Sequence, residues 1–295
     1  LVGWRSADAE SDTLYLYRFR NGTLSEEFHV SCDGMAIADF NGDGAEELIA
    51  ATLDGGVTLQ LIGWGSSGIS VLDSAYSSLR MQSLLGSVAG MIAPQQPGAA
   101  FYGRVNADMT ASLLVGVDGN TLLLPQESET IGYSGSYCYS GAVPADINRD
   151  GVVELPWSAV AAVTADSARE ETQYFTEYRT LLGSGYQTVA VCYQNTADGW
   201  QFILPDVLRD AYSMGLLSLR WRAETREIAF IRTLIMVGDH HDELLRLRVV
   251  SAADGDAPEG YTLLASRGQF SYYAALPSGS PLTMAEVAEN FSLLG

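Results

Sequence analysis

Lysine is missing from this sequence. All 16 basic residues are arginine, set against 36 aspartates and glutamates, for a formal charge of −20. A GC-rich coding sequence accounts for arginine standing where lysine usually would. The deficit of positive charge has the larger consequence: binding a phosphate backbone needs a basic stripe that releases counterions, and none is present. That argues against a nucleic-acid partner. The acidic surface serves solubility first and cation binding second. Long apolar runs are missing too, and none reaches the roughly 18 residues that a membrane span requires. The opening LVGWRSADAESD has neither the basic-then-apolar order of a signal peptide nor the texture of a transit peptide, and reads as a mature or trimmed start. Cysteine is scarce. Cys32, Cys138 and Cys192 lie far apart, match no metal or redox spacing, and sit among apolar or aromatic neighbours, as buried thiols do. No G-x-S-x-G, P-loop or dinucleotide fingerprint occurs, and GWGSSG at 63–68 lacks the lysine and spacing of a phosphate loop and reads as a turn.

What remains is a chain of 295 residues with 47% apolar and 10% aromatic content, long enough for one large domain or two ordinary ones. Its texture is strand-like. TLYLYRFRNGTL alternates and then turns at Asn21-Gly22, a strong hairpin signal. GVTLQLIGW and NTLLLPQ read as further short strands. After about residue 165 the texture changes. DSAREETQYFTEY is a charged stretch with helical potential, DVLRDAYSM a possible short helix, and YQTVAVCYQN, GWQFILP, LLSLRWR, REIAFIRTLIM, LLRLRVV and QFSYYAALP read as strands. In the closing LTMAEVAENFSLLG, Thr283 and Glu286 form a capping box, while Met284, Val287, Phe291 and Leu294 make one apolar stripe, which predicts a helix over about 283–293.

One motif repeats. ADFNGDGAEELIA at 38–50 returns as PADINRDGVVELPW at 144–157, aligning Asp39 with Asp146, Asn41 with Asn148, Asp43 with Asp150, Gly44 with Gly151 and Glu47 with Glu154. A decayed third copy, RVNADMTASLLVG at 104–116, keeps Asn106 and Asp108 but places Arg104, Met109 and Ser112 at the other positions. Asn148 follows Asn106 by 42 residues, which is a propeller-blade period. The 65 residues between Asn41 and Asn106 leave room for one blade plus an insertion, SSLRMQSLLGSVAGMIAPQQPG.

A hard divalent cation takes six to eight oxygens, and carboxylates at alternate positions of a tight turn supply them. In the first copy Asp39, Asn41 and Asp43 offer side-chain oxygens, Ala45 a backbone carbonyl and Glu47 a carboxylate; Asp146, Asn148, Asp150, Val152 and Glu154 do so in the second. Gly44 allows the sharp bend. An EF-hand would need a bidentate Glu at the twelfth position, where Ala50 and Trp157 stand, and a helix rather than a strand beyond it. Without a metal, the same residues make an Asx-rich turn, since Asp, Asn and Gly favour turns anyway. In the third copy Arg104 repels a cation.

A nine-residue D-x-N-x-D-G-x-x-E turn between strands resembles the FG-GAP or VCBS repeat of calcium-binding β-propellers, over roughly residues 12–165. The resemblance implies structural calcium that staples the loop between two blade strands and does no chemistry. The tail, with YQNTADGWQFILPDVLRDA, ASRGQFSYYAALPSG and the closing helix, is similar to a domain appended to such repeats in surface lipoproteins of gut Firmicutes, and in its order of elements to PsbP-like α+β domains. The expected fold is therefore mainly β, with β-propeller-like blades over 1–165 and a smaller α+β domain over 166–295 that ends in a helix.

Catalytic candidates are few. GDHHDE at 238–243 groups His240 and His241 with Asp239 and Asp242, but adjacent histidines seldom converge on one ion, and a polar hairpin tip is the simpler reading. Paired carboxylates serve glycosidases, yet among 36 acids no pair is singled out. The expected function is a non-enzymatic, extracytoplasmic binding or scaffolding protein of a bacterial surface or secreted from it, with a protein or carbohydrate ligand. The alternative is a carbohydrate-active enzyme on a propeller scaffold.

Overall fold

Short runs of β-branched and aromatic residues, punctuated by glycine turns, build this chain almost wholly from antiparallel strands. The computed structural model describes residues 2–6, 12–65, 68–127, 136–139, 141–163, 172–183, 185–234, 240–253 and 257–294. The chain divides into two compact units, Leu1–Trp157 with Tyr178–Val189, and Ser158–Glu177 with Ala190–Gly295.

The first unit contains three up-and-down sheets. The first orders β1 (Val2–Ser6), β2 (Thr13–Arg20) and β3 (Thr23–Ser31). Asn21 and Gly22 both take positive φ, 52° and 81°, so the predicted hairpin closes with Arg20 opposite Thr23. The second sheet orders β4 (Gly34–Ala38), β5 (Glu47–Leu53), β6 (Val57–Gly65) and β7 (Gly68–Ser77). The third orders β11 (Thr121–Leu123), β10 (Thr110–Asp118), β9 (Gln96–Arg104) and β8 (Ser83–Ala93), with β12 (Ser136–Cys138) also on β10. The expected insertion is thus largely strand: β8 pairs along β9 from Ser83–Arg104 to Ala93–Gln96. Its glycines hid it from a pattern search, because Gly86 and Gly90 carry no side chain to mark the alternation. A Cβ at Gly86 would lie 2.6 Å from the Tyr102 hydroxyl, so close packing of neighbours explains the glycine. GWGSSG spans the end of β6 and the start of β7, where Gly65 opposes Gly68, and its central residues 66 and 67 lie outside the described residues.

Successive sheets pack face to face. On β5 and β6, Leu48, Ala50 and Ile62 join Leu14, Leu16, Val30 and Cys32 in one cluster. The alternate positions Ile49, Ala51, Leu59 and Leu61 join Phe101, Leu113 and Val115 in another. A sheet covered on both faces reads as a continuous apolar run, as in LIAA. The far face of the third sheet, through Ile92, Ala100 and Leu114, meets Val153, Leu155 and Leu181.

The second unit is α+β. The remaining strands are β13 (Leu155–Val160), β14 (Ala162–Val163), β15 (Tyr174–Leu182), β16 (Gly185–Asn195), β17 (Trp200–Ile203), β18 (Leu217–Arg222), β19 (Glu227–Leu234), β20 (His240–Ser251), β21 (Thr262–Arg267), β22 (Phe270–Ala275) and β23 (Phe291–Leu293), of which β13 up to Trp157, β15 from Tyr178 and β16 up to Val189 fall in the first unit. They form two sheets, ordered β13-β15-β16-β17-β23 and β14-β18-β19-β20-β22-β21. Helices α1 (Asp206–Ser213) and α2 (Met284–Asn290) complete it. One core joins both sheets and both helices, through Trp200, Phe202, Leu208, Phe230, Leu245, Tyr272 and Val287. The alternating arginines of LRWR and LRLR leave that core: Arg222 pairs with Glu227, whose other oxygen accepts from the Tyr261 hydroxyl, and Arg246 pairs with Glu243.

Two helix expectations change. Residues 166–171 of the charged stretch lie outside the described residues, but from Tyr174 onward it is β15, since Phe175, Thr176, Tyr178 and Thr180 are needed inside a sheet. The terminal helix forms with both halves of its capping box, yet stops at Asn290. The remainder turns extended and pairs with β17, Phe202 opposite Phe291 and Trp200 opposite Leu293. That ladder places the Phe291 ring 5.7 Å from Trp200, and Leu293 rather than Leu294 joins the core.

Candidate metal centre

Both acidic repeats fold into the same turn. Each is closed by an antiparallel pair in equivalent register, Ala38 opposite Glu47 and Ala145 opposite Glu154. Inside, the first aspartate caps the bend. Asp39 Oδ1 accepts from the amides of Gly42 and Asp43 at 2.8 and 3.1 Å, and Oδ2 from Gly44 at 3.0 Å. Asp146 does the same for Asp150 and Gly151, both at 3.0 Å. The asparagine oxygen accepts from the second acidic residue, Asn41 from Asp43 at 2.9 Å and Asn148 from Asp150 at 3.0 Å. Asp43 and Asp150 accept in turn from Ala45 and Val152, both at 2.8 Å. Gly44 and Gly151 hold φ of 89° and 88°, which explains the shared glycine, while the position before the second acid is Gly42 at 75° in one turn and Arg149 at 61° in the other.

The closing glutamates are the unusual members. Glu47 and Glu154 are buried at 3% and 0% exposure, although both stand beside two aspartates. Glu47 Oε2 accepts from Phe40 and Asn41 amides at 2.9 and 3.3 Å, and Oε1 from the Asn41 side-chain amide at 3.1 Å. Room for its stem comes from Gly63, where a Cβ would stand 3.2 Å from Glu47 Cγ. Glu154 Oε2 accepts from Ile147 at 2.9 Å, but its Oε1 is buried with no hydrogen-bond partner among the described residues. Burial pushes the Glu154 carboxyl up to about 7; the Ile147 amide opposes the rise and the charges of Asp150 and Asp146 add to it. Glu47 is raised for the same leading reason, against the Phe40 and Asn41 amides and with Asp43 and Asp39.

A buried carboxylate oxygen without a donor is costly, and a cation is the partner that removes the cost of all three acids at once. Among the described residues no group of three or more His, Cys, Asp or Glu side chains is arranged to hold an ion. The turn oxygens are spent on the turn's own amides, so each holds its shape without an ion, as an Asx-rich turn does. Asp39 Oδ1 and Glu47 Oε2 each accept twice, but Asp39 Oδ2, Asp43 Oδ1 and Glu47 Oε1 accept once and keep a second lone pair, as do both oxygens of Asp146. The donor set of three carboxylates, one amide oxygen and one backbone carbonyl suits a hard cation, completed by water.

The third copy does not share this geometry. Arg104 opposes Thr110, so β9 and β10 close over residues 105–109 only, and Ser112 pairs with Tyr102 up the strand instead of closing the turn. One bond survives, from the Asp108 amide to Asn106 Oδ1 at 2.9 Å. Of the histidine cluster, Gly238 and Asp239 lie outside the described residues. Asp242 accepts from Arg232 at 3.1 Å, and His241 Nδ1 stands 3.4 Å from the Thr233 hydroxyl, so these two side chains are directed at strand neighbours. Cys32, Cys138 and Cys192 are all buried. Among the described residues no helix is long and apolar enough to cross a membrane.

Sequence reasoning identified every residue of both turns but gave no hint that Glu154 differs from Glu47. The signal for it is not in the motif, because the difference lies in which way an asparagine amide points. No family model matches the chain, and no curated protein is significantly similar to it.

Proposed function

We propose that this chain is a non-enzymatic, extracytoplasmic binding or scaffolding protein of the FG-GAP or VCBS type, in which calcium staples the turns at 39–47 and 146–154. The ligands are the side chains of Asp39, Asn41, Asp43 and Glu47 with the Ala45 carbonyl, and of Asp146, Asn148, Asp150 and Glu154 with the Val152 carbonyl. Calcium bound there supplies charge neutralisation, and the chain's own residues supply the bend and the anchoring strand. The observation that carries the reading is the pairing of two equivalent turns, each with a buried glutamate facing two further acids. Face-to-face stacking of successive antiparallel meanders is also how propeller blades pack, and it supports a blade assignment for the sheets of the first unit. The acidic surface fits a calcium-rich, extracytoplasmic setting.

The test is stoichiometry. Equilibrium dialysis against calcium chloride should leave two ions per chain. Asp43→Ala and Asp150→Ala should each lose one, and Asp108→Ala none. Wild-type protein that retains no calcium above its dialysis buffer sinks the proposal, leaving two Asx-rich turns.

A further inference from the structure

We infer that the turn at 146–154 is the tighter of the two cation sites and fills first, the geometry of its closing glutamate setting the order. This rests on the reading of both turns as calcium sites and adds an inequality that their shared motif does not contain.

In the first turn the Asn41 amide reaches Glu47 Oε1 at 3.1 Å, so both carboxylate oxygens already have donors. In the second turn the corresponding Asn148 amide turns instead to Asp150 Oδ2 at 2.9 Å. That choice leaves Glu154 Oε1 buried and without a partner among the described residues, on a side chain of 0% exposure. A cation entering the first turn displaces a half-buried amide from Glu47. A cation entering the second meets an oxygen that has lost its water and received nothing in exchange. The bond it disturbs there, between Asn148 and Asp150, is exposed and weak by comparison.

Both turns are framed before any ion arrives, the first by the β4–β5 ladder and the second by a single bridge. Ala145 and Glu154 exchange both backbone bonds, at 3.1 and 2.9 Å, and Val153 donates to the Met91 carbonyl at 2.7 Å. Beneath it, Val153 and Leu155 are buried against Ile92, Ala100 and Leu114. One feature of the second turn opposes the inference: Arg149 brings a positive charge where the first turn has Gly42. Its side chain is exposed, and solvent and salt screen an exposed charge strongly. The buried, unpartnered oxygen outweighs it.

Calorimetric titration of the full chain with calcium chloride tests the order. Two phases are expected, separated by about tenfold or more in affinity, the equivalent of about 1.4 kcal/mol. Glu154→Gln should abolish the tighter phase and Glu47→Gln the weaker one. In chelator, Glu154→Gln should melt no lower than wild type, because an amide replaces a buried, poorly satisfied carboxylate. The exposed, isosteric pair Asp150→Asn and Asp43→Asn should reproduce the assignment should either glutamine variant fold poorly. If Glu47→Gln removes the tighter phase, or both sites bind with one affinity, the order is wrong while the calcium reading stands. If wild type shows no calcium binding, both fall.

Discussion

Calcium should raise one unfolding transition of this chain and leave another where it is. Both turns belong to the first unit, of about 170 residues, whose cores are separate from the single core of the second unit. Two transitions are therefore expected in differential scanning calorimetry of the intact chain. An ion that binds only the folded turn at a hundredfold excess over its dissociation constant adds about 2.7 kcal/mol. For sites of about 10⁻⁴ M, that excess is reached near 10 mM free calcium. In a unit of this size 1 kcal/mol moves the melting temperature by about 2–4 °C, so one turn filled at that excess should raise it by about 5–10 °C over chelator and both turns by more. Core variants identify the transitions. Ile49 is fully buried in the first unit, and Ile49→Val should lower the calcium-sensitive transition by about 0.5–1.5 kcal/mol. Val287→Ala, at a fully buried position of the second unit, should lower the other. Magnesium should substitute poorly, since it demands a tight octahedron and sheds water reluctantly. The reasoning is refuted if the transition marked by Ile49→Val is the same in calcium and in chelator, or if the calcium shift follows the transition marked by Val287→Ala.

Native protein should react slowly with a thiol reagent at Cys32, Cys138 and Cys192, which are 3%, 1% and 0% exposed, and rapidly at all three in denaturant; fast modification of the native chain would contradict their burial. Gly98→Ala should destabilise by about 1–3 kcal/mol in urea, because its Cβ would stand 2.1 Å from the Val115 carbonyl oxygen, whereas Gly185→Ala, with nothing within 4 Å, should be near neutral. Burial pushes the Glu243 carboxyl up, but the Arg246 hydrogen bond and the charges of Arg246, Arg220 and Arg222 outweigh it and hold it below its ordinary 4.5. Its contribution to stability is thus fully present above the unfolded value and lost as pH falls through the lower folded one. Glu243→Gln should flatten the acid limb of urea midpoints measured between about pH 2 and 5, and an unchanged limb would show that the ion pair adds nothing.

How much of this was legible in the chain follows from how far each partner lies along it. The Asn21-Gly22 hairpin, the Thr283–Glu286 capping box and the two acidic turns were readable as motifs because every atom that closes them comes from within nine residues. At 104–116, the copy read as decayed, Asn106 and Asp108 keep their spacing but the ladder between β9 and β10 runs on to Arg104 and Thr110 and shortens the loop. Glycines interrupt the pattern of strand β8 and make it read as an insertion, and only Gln96–Arg104 lying alongside reveals why they are there. The closing helix was right at its cap and wrong at its end, since the edge of β17 offers Phe291 and Leu293 a ladder that no helical stripe encodes. Most of all, the inequality of Glu47 and Glu154 belongs to the tertiary structure. Both motifs specify the same donors and the same bend, but where an asparagine amide turns and which oxygen is left buried depend on the residues packed around each turn, and those come from elsewhere in the chain.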